Sequence, residues 1–150
     1  CALPICCVYY DDNLIFRCEM LKHVLALGCD PNVMTDDSCA LIVPMFREDE
    51  VVLQILLEAG ADPNKAIGFS SEESFYDWAL FDYYYNEWIS TNDLISIDAT
   101  EEELATPEGL FDFYERAAKA DGKKAPTHLR VLRAFGAKTR VEQSQDKYHV

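Results

Sequence analysis

One short segment occurs twice in this chain, as residues 27–32 (LGCDPN) and as residues 59–64 (AGADPN). An apolar run of helical character precedes each copy, at residues 21–27 and 51–57. The glycine favours a left-handed residue just past a helix C-terminus, and the Asp-Pro-Asn that follows prevents further helix and starts a turn. Because the two glycines lie 32 residues apart, the chain contains a structural repeat.

A third, eroded copy lies at residues 129–138 (LRVLRAFGAK). An apolar helix followed by Gly-Ala-Asp-Pro-Asn at a spacing of about 33 residues resembles an ankyrin repeat, and residues 51–64 match that family's pattern almost position for position. The family's usual first-helix signature, Thr-Pro-Leu-His-x-Ala, is weaker here. Its place is taken by residues 1–5 (CALPI), 39–43 (CALIV) and 74–79 (SFYDWA) in the three units.

The resemblance implies an all-α fold, an ankyrin-like solenoid of stacked helix-turn-helix repeats with an expanded helical third repeat that ends as a C-terminal cap. It places a repeat domain at residues 1–137 and a frayed C-terminal tail at residues 138–150. The expected repeats are at about 1–32, 33–64 and 65–137, with an insertion at about 89–125.

The third unit is expanded and aromatic. Residues 74 to 136 span 62 positions, whereas the equivalent residues 39 to 60 span 21. Thr106 and Pro107 are typical of a helix start, and Gly122 is typical of a helix end. We interpret this insertion helix and the arginine-rich helix after it as the cap. In these features the chain resembles divergent ankyrin segments near the ends of large fungal multidomain proteins, so we expect it to be part of a longer protein.

The second unit begins with a shortened first helix. Ser38 or Asp37 can cap a helix that starts near Cys39, because their side-chain oxygens reach the free amides of the first turn. Pro44 lies within that helix and removes a backbone hydrogen bond. We therefore expect the helix to be short or bent.

Charge is distributed unevenly. The net charge is −14, and residues 72–115 contain 13 acidic residues but no lysine or arginine. Such a block repels phosphate backbones, which argues against nucleic-acid binding, and it attracts basic protein surfaces. The same block could also serve only as a solvated surface. No apolar run approaches the roughly 20 residues that cross a membrane, so we expect no membrane association.

Neither the cysteines nor the histidines indicate chemistry. The six cysteines lie within residues 1–39 without a Cys-x-x-Cys pair, and we interpret them as reduced packing residues rather than as disulfides or as a metal site with His23. An intracellular, cytoplasmic location is therefore expected. His23, His128 and His149 are scattered, and the glycines are isolated. We expect no enzyme activity, no cofactor and no metal site.

The resemblance implies that the chain binds a protein partner, as a monomer, through the concave surface of its fingers and first helices. Carried over to this sequence, that surface consists of Val33, Met34, Thr35, Asp36, Asp37, Ile42, Phe69 and Asp77. An alternative is a regulatory or structural end-piece that docks on a catalytic or nucleotide-binding domain of its own parent chain. A third hypothesis is a catalytic fragment that uses a cysteine.

Overall fold

Helices dominate the computed structural model, which describes residues 3–9, 13–35, 38–65 and 73–146. The helices are α1 (Leu3–Tyr9), α2 (Leu14–Ala26), α3 (Ile42–Phe46), α4 (Glu50–Glu58), α5 (Phe75–Tyr84), α6 (Glu101–Ala105), α7 (Pro107–Asp121), α8 (Thr127–Ala134) and α9 (Arg140–Asp146), with a π-helical turn at Tyr85–Ile89 directly after α5. Two short strands, β1 (Met34–Thr35) and β2 (Ser38–Cys39), form an antiparallel pair. The expected all-α class is confirmed, and none of the helices in these ranges has the length and apolar character needed to cross a bilayer.

The helices pack in two rows. In the first row α1 contacts α3, and α3 contacts α5. In the second row α2 contacts α4, and α4 contacts α8. Each first-row helix also contacts its second-row partner, in the pairs α1 with α2, α3 with α4 and α5 with α8. The core lies between the rows, with Leu21, Leu53, Leu56, Leu129 and Leu132 at 1 % exposure or less.

A left-handed glycine lies two residues beyond the end of each second-row helix, α2, α4 and α8. The φ angles are 85° at Gly28, 96° at Gly60 and 82° at Gly136. Residues that have a Cβ rarely adopt this backbone conformation. An asparagine then connects one turn to the next. The Asn32 amide donates to the Gly60 carbonyl at 2.8 Å, and Asn64 donates to the Gly136 carbonyl at 2.8 Å. The turn chemistry therefore recurs between successive helix pairs.

The insertion folds as a hairpin of α6 and α7. Thr106 caps α7 by accepting a hydrogen bond from the Gly109 amide at 3.0 Å, and α7 ends at Gly122, which has a φ of 67°. Both predicted ends of this helix are confirmed. Gly109 is required by packing, because a Cβ at this position would lie 2.7 Å from the Glu103 carbonyl oxygen of α6.

Aromatic side chains join the insertion to the third unit. Tyr114 of α7 packs against Tyr83 of α5, with ring centroids 5.7 Å apart, and stacks on Trp88 of the π-helical turn at 6.1 Å. Trp88 is buried and its indole nitrogen donates to Asp121 at 2.9 Å. The Tyr83 hydroxyl donates to the Lys124 carbonyl at 2.6 Å. Both polar tips therefore have partners, as burial requires.

The expected helix cap at Ser38 is wrong. Ser38 does not cap a helix near Cys39, because these residues form β2 and α3 begins at Ile42 after an N-cap, Leu41, that has no side-chain hydrogen bond. Backbone groups of β2 form hydrogen bonds with β1 in place of the hydrogen bonds that a helix would have provided. Pro44 does lie in a short helix, since α3 has five residues. Asp37, the other proposed cap, lies outside the described residues.

The C-terminal segment is also not frayed where it is described. Residues 140–146 form α9, and the Asp77 carboxylate of α5 accepts a hydrogen bond from the Arg140 amide at 2.8 Å. The Arg133 guanidinium of α8 holds Glu142 of α9 at 2.9 Å. A sequence without apolar periodicity therefore becomes helical through polar contacts with distant elements.

Candidate interaction surface

The predicted finger residues lie at the β1–β2 hairpin. Met34 and Thr35 form β1, where Met34 faces Cys39 and Thr35 faces Ser38 in the register of the pair. Both β1 side chains are exposed, and Val33 is half-buried. Asp36 and Asp37 lie outside the described residues. The hairpin therefore presents one large apolar side chain, Met34, to solvent.

The other predicted binding residues do not join this surface. Ile42 is buried at 7 % exposure, so its side chain offers little area to a partner. The Asp77 carboxylate accepts hydrogen bonds from the Ser74 amide, at 2.9 Å, and from the Arg140 amide. Asp77 thereby caps α5 and anchors α9. Phe69 lies outside the described residues.

The structure instead has a set of rings along the first row, which we call the aromatic stripe: Phe46, Phe81 and Tyr85, which are exposed, and Trp78, which is half-buried. Phe81 is 60 % exposed, Tyr85 is 45 % exposed and Phe46 is 41 % exposed. The Phe81 and Tyr85 rings lie 6.1 Å apart, and Phe46 of α3 meets Trp78 of α5 edge to face at 4.9 Å. The aromatic stripe therefore spans two neighbouring helices of one row.

A spacing in the sequence groups three of these rings on one helix face but does not show that this face is exposed. Positions 78, 81 and 85 lie three and four residues apart, which places them on one face of a helix. The opposite face of α5 is buried and contains Phe75, Tyr76, Ala79, Leu80 and Tyr83. Since both faces are aromatic, composition alone does not distinguish the exposed face from the core face.

Two carboxylates lie beside the stripe. Asp82 is half-buried on α5 and accepts a hydrogen bond from the Asn86 amide at 3.0 Å. The pKa of Asp82 is raised to about 6, mainly by burial and then by the negative charge of Glu48, while the Asn86 hydrogen bond acts in the opposite direction. Glu48 has a φ of 49°, unusual for a residue with a side chain, and its carboxylate lies 2.8 Å from the Lys124 ammonium.

Elsewhere in the described part of the chain, four of the thirteen acidic residues of the block form ion pairs within the molecule. The ion pairs join residues of the acidic block to cations that follow it in the chain: Glu103 with Arg116, Glu115 with Arg130, Glu108 with Arg133 and Asp93 with Lys123. The negative electrostatic potential that this block presents to a partner is therefore weaker than its number of acidic residues implies. Asp82, whose hydrogen-bond donor is a neutral amide, differs from these carboxylates.

Residues with catalytic potential are dispersed. His128 is fully buried, neither of its ring nitrogens has a hydrogen-bond partner, and burial lowers its pKa to about 3. His23 is exposed on α2, Cys6 is exposed on α1 and Cys18 is buried. Across the ranges that the structure describes, no three His, Cys, Asp or Glu side chains are placed to hold a metal ion.

The candidate interaction site is therefore the aromatic stripe, with Asp82 beside it. Such rings combine a large apolar area with few rotatable bonds, which is typical of protein interfaces. Comparisons with models of protein families, with curated proteins and with solved structures gave no match.

Proposed function

We propose that this chain is a non-catalytic protein–protein interaction module of the ankyrin-like solenoid type, with an expanded third repeat and a helical cap. The two rows of helices, the left-handed glycines and the asparagines that join successive turns support this architecture. In such an array the first-row helices and the hairpins before them carry the binding surface, which here includes α3, α5 and the β1–β2 hairpin.

The exposure of the aromatic stripe is the observation that carries the proposal. Phe46, Phe81 and Tyr85 are each at least 41 % exposed on neighbouring helices. A group of exposed rings on one side of a protein costs solubility and marks a surface that another molecule covers. Val33, Met34 and Thr35 extend the proposed surface at the hairpin, with Met34 as their exposed apolar member.

We also propose an intracellular location and a monomeric module. Cys6, Cys7 and Cys18 are free thiols, and Cys6 is exposed to solvent. Exposed free thiols persist in reducing compartments and are readily oxidised outside them. The partner would therefore be an intracellular protein.

A retention experiment in reduced cell extract tests this function. The wild type is compared with the double variant Phe81→Ser, Tyr85→Ser, and the retained proteins are quantified by mass spectrometry. Ile15→Ser, Phe16→Ser is the matched control, because it removes two exposed apolar side chains from α2, which belongs to the second row. Circular dichroism melts establish that each variant is folded.

The expected result is a partner that the wild type and the α2 control retain and the stripe variant loses. Retention by all three proteins would exclude the stripe as the binding surface, and Met34→Ala would then test the hairpin. If the wild type retains nothing, the module does not act on a separate partner, and docking within its own parent chain becomes the better explanation.

A further inference from the structure

We propose that the partner of the aromatic stripe is a mainly apolar segment that presents one lysine or arginine side chain to Asp82. This inference rests on the proposed function and names the chemistry of the partner. The apolar part of the segment covers Phe81 and Tyr85, and the cation lies between the rings and the carboxylate.

Helix geometry places Asp82 next to the stripe. Asp82 follows Trp78 by four residues and precedes Tyr85 by three, and residues at these separations are neighbours on a helix surface. Asp82 is half-buried, so its side chain is not fully surrounded by solvent. A group that approaches Phe81 and Tyr85 therefore also approaches Asp82.

The charge beside the stripe is incompletely compensated. Asp82 receives one hydrogen bond from the neutral Asn86 amide, and the Glu48 charge acts against its ionisation. Lys124 is directed to Glu48, with its ammonium 2.8 Å from the carboxylate and 3.3 Å from the Glu48 carbonyl. A cation supplied by a partner would complete the site.

Two arginines of this chain each contact both an aromatic ring and a carboxylate. Arg130 lies 5.0 Å from the Phe111 ring and pairs with Glu115 at 2.8 Å. Arg116 likewise lies 5.7 Å from the Phe113 ring and pairs with Glu103 at 2.7 Å. The ring face and the carboxylate attract the same cation. Phe81, Tyr85 and Asp82 repeat this combination of groups on an exposed surface.

The test is a selection of random displayed peptides on three immobilised proteins: wild type, Asp82→Asn and the stripe variant Phe81→Ser, Tyr85→Ser. Asp112→Asn is the matched control, because it removes an exposed aspartate from α7. A peptide enriched on wild type is then titrated against each protein. A second version of that peptide, with its basic residue replaced by glutamine, completes a double-mutant cycle with Asp82→Asn.

We expect the wild type to enrich peptides that combine apolar residues with one lysine or arginine. Asp82→Asn should weaken such a peptide about tenfold, the glutamine peptide should lose no further affinity on this variant, and Asp112→Asn should change affinity less than about twofold.

Two other outcomes overturn the inference in different ways. If wild type and Asp82→Asn enrich the same peptides, and the stripe variant enriches none, the partner has no basic residue that pairs with Asp82. The aromatic stripe is then still the binding surface. If the stripe variant enriches the same peptides as wild type, the surface is wrong as well. Self-association of wild type that the stripe variant abolishes, measured by light scattering, would make a second copy the occupant and also contradict the inference.

Discussion

The side-chain amide of Asn32 bridges to the turn at Gly60. Its nitrogen donates to the Gly60 carbonyl at 2.8 Å, and its oxygen accepts from the Asp62 amide at 2.7 Å. Asn64 repeats this arrangement with the turn at Gly136, at 2.8 Å. One side chain thereby satisfies a backbone carbonyl and a backbone N–H that no helix pairs. Consecutive helix pairs are joined by polar contacts as well as by their apolar cores.

We predict that Asn32→Ala lowers the free energy of unfolding by about 1 to 2 kcal/mol, because two backbone groups of the next turn lose their partner. Urea denaturation monitored by circular dichroism measures the change. Gln54→Ala is the control, since this exposed amide bonds only to Glu58 of its own helix, at 2.7 Å. Equal stability of the two variants would show that the bridge contributes no more than a surface hydrogen bond.

A second prediction concerns acid stability. The pKa of His128 is lowered from 6.5 to about 3, mainly by burial and then by the positive charge of Lys124. Between these values the unfolded chain binds a proton that the folded chain excludes, so stability is lost as the pH falls from 6.5 towards 3. His128→Leu should abolish this loss, which is up to about 3 kcal/mol between pH 7 and pH 4.

Urea denaturation at a series of pH values measures the effect. His23→Leu is the control, because His23 is exposed on α2, and this variant should keep the pH dependence of the wild type. Parallel stability curves for His128→Leu and wild type would mean that the buried imidazole is not excluded from protonation.

The third prediction concerns Asp82, whose contribution to stability decreases as the pH rises, opposite to that of His128. The pKa of Asp82 is raised from 3.8 to about 6, first by burial and then by Glu48. The folded chain therefore holds a proton that the unfolded chain has released, and this contribution is present below pH 3.8 and lost as the pH rises through 6. Asp82→Asn should stabilise the protein by about 1 kcal/mol at pH 7.5, allowing for solvent screening, and should have little effect at pH 4.

Thermal melts at the two pH values test this prediction, with Asp112→Asn as a control for the loss of one exposed aspartate. A destabilising effect at pH 7.5 would show that Asp82 has a stabilising cation. Stabilisation together with loss of peptide binding would indicate that the residue is maintained for recognition at a cost in stability.

The fourth prediction concerns the attachment of α9. Arg133 contacts Glu142 at 2.9 Å, the Ala137 carbonyl at 2.6 Å and the Tyr76 ring at 5.3 Å. Arg133→Met should release α9, because a helix of seven residues does not persist in water without tertiary contacts. We expect trypsin to cleave after Arg140 at least about tenfold faster, with a smaller change in global stability.

Arg130→Met provides the matched control. Arg130 belongs to the same helix, and it pairs with the half-exposed Glu115 and lies over Phe111 without contacting α9. Cleavage at Arg140 should remain slow in this variant. Equally fast cleavage in both variants would assign the protection to α8 as a whole rather than to the Arg133 contacts.

Sequence reasoning succeeded where a signal and its structural partner lie within a few residues. Thr106 and Gly122 mark the ends of α7, Pro44 accompanies a five-residue α3, and the glycines of the repeated turns are left-handed. Caps and turns are satisfied locally, so their residues can be recognised in the chain. The same reasoning failed at Ser38, where pairing with another strand replaced the expected cap.

The candidate site shows more clearly what the sequence alone does not predict. Its aromatic residues are evident in the sequence, yet which face of α5 is exposed depends on α3, α7 and α8 packing against that helix. Ile42 was expected at a surface and is buried, while Asp77 was expected to meet a partner and instead anchors Arg140, 63 residues later in the chain.

The sequence by itself therefore determined the helical class, the repeated turns and the ends of the insertion helix, because these depend on backbone preferences and on contacts within one helical turn. Only the tertiary structure decided which rings form the exposed stripe, which residues of the acidic block form ion pairs and why residues 140–146 are helical. Those outcomes depend on contacts between residues far apart in the chain, and no local pattern of residue types specifies such contacts.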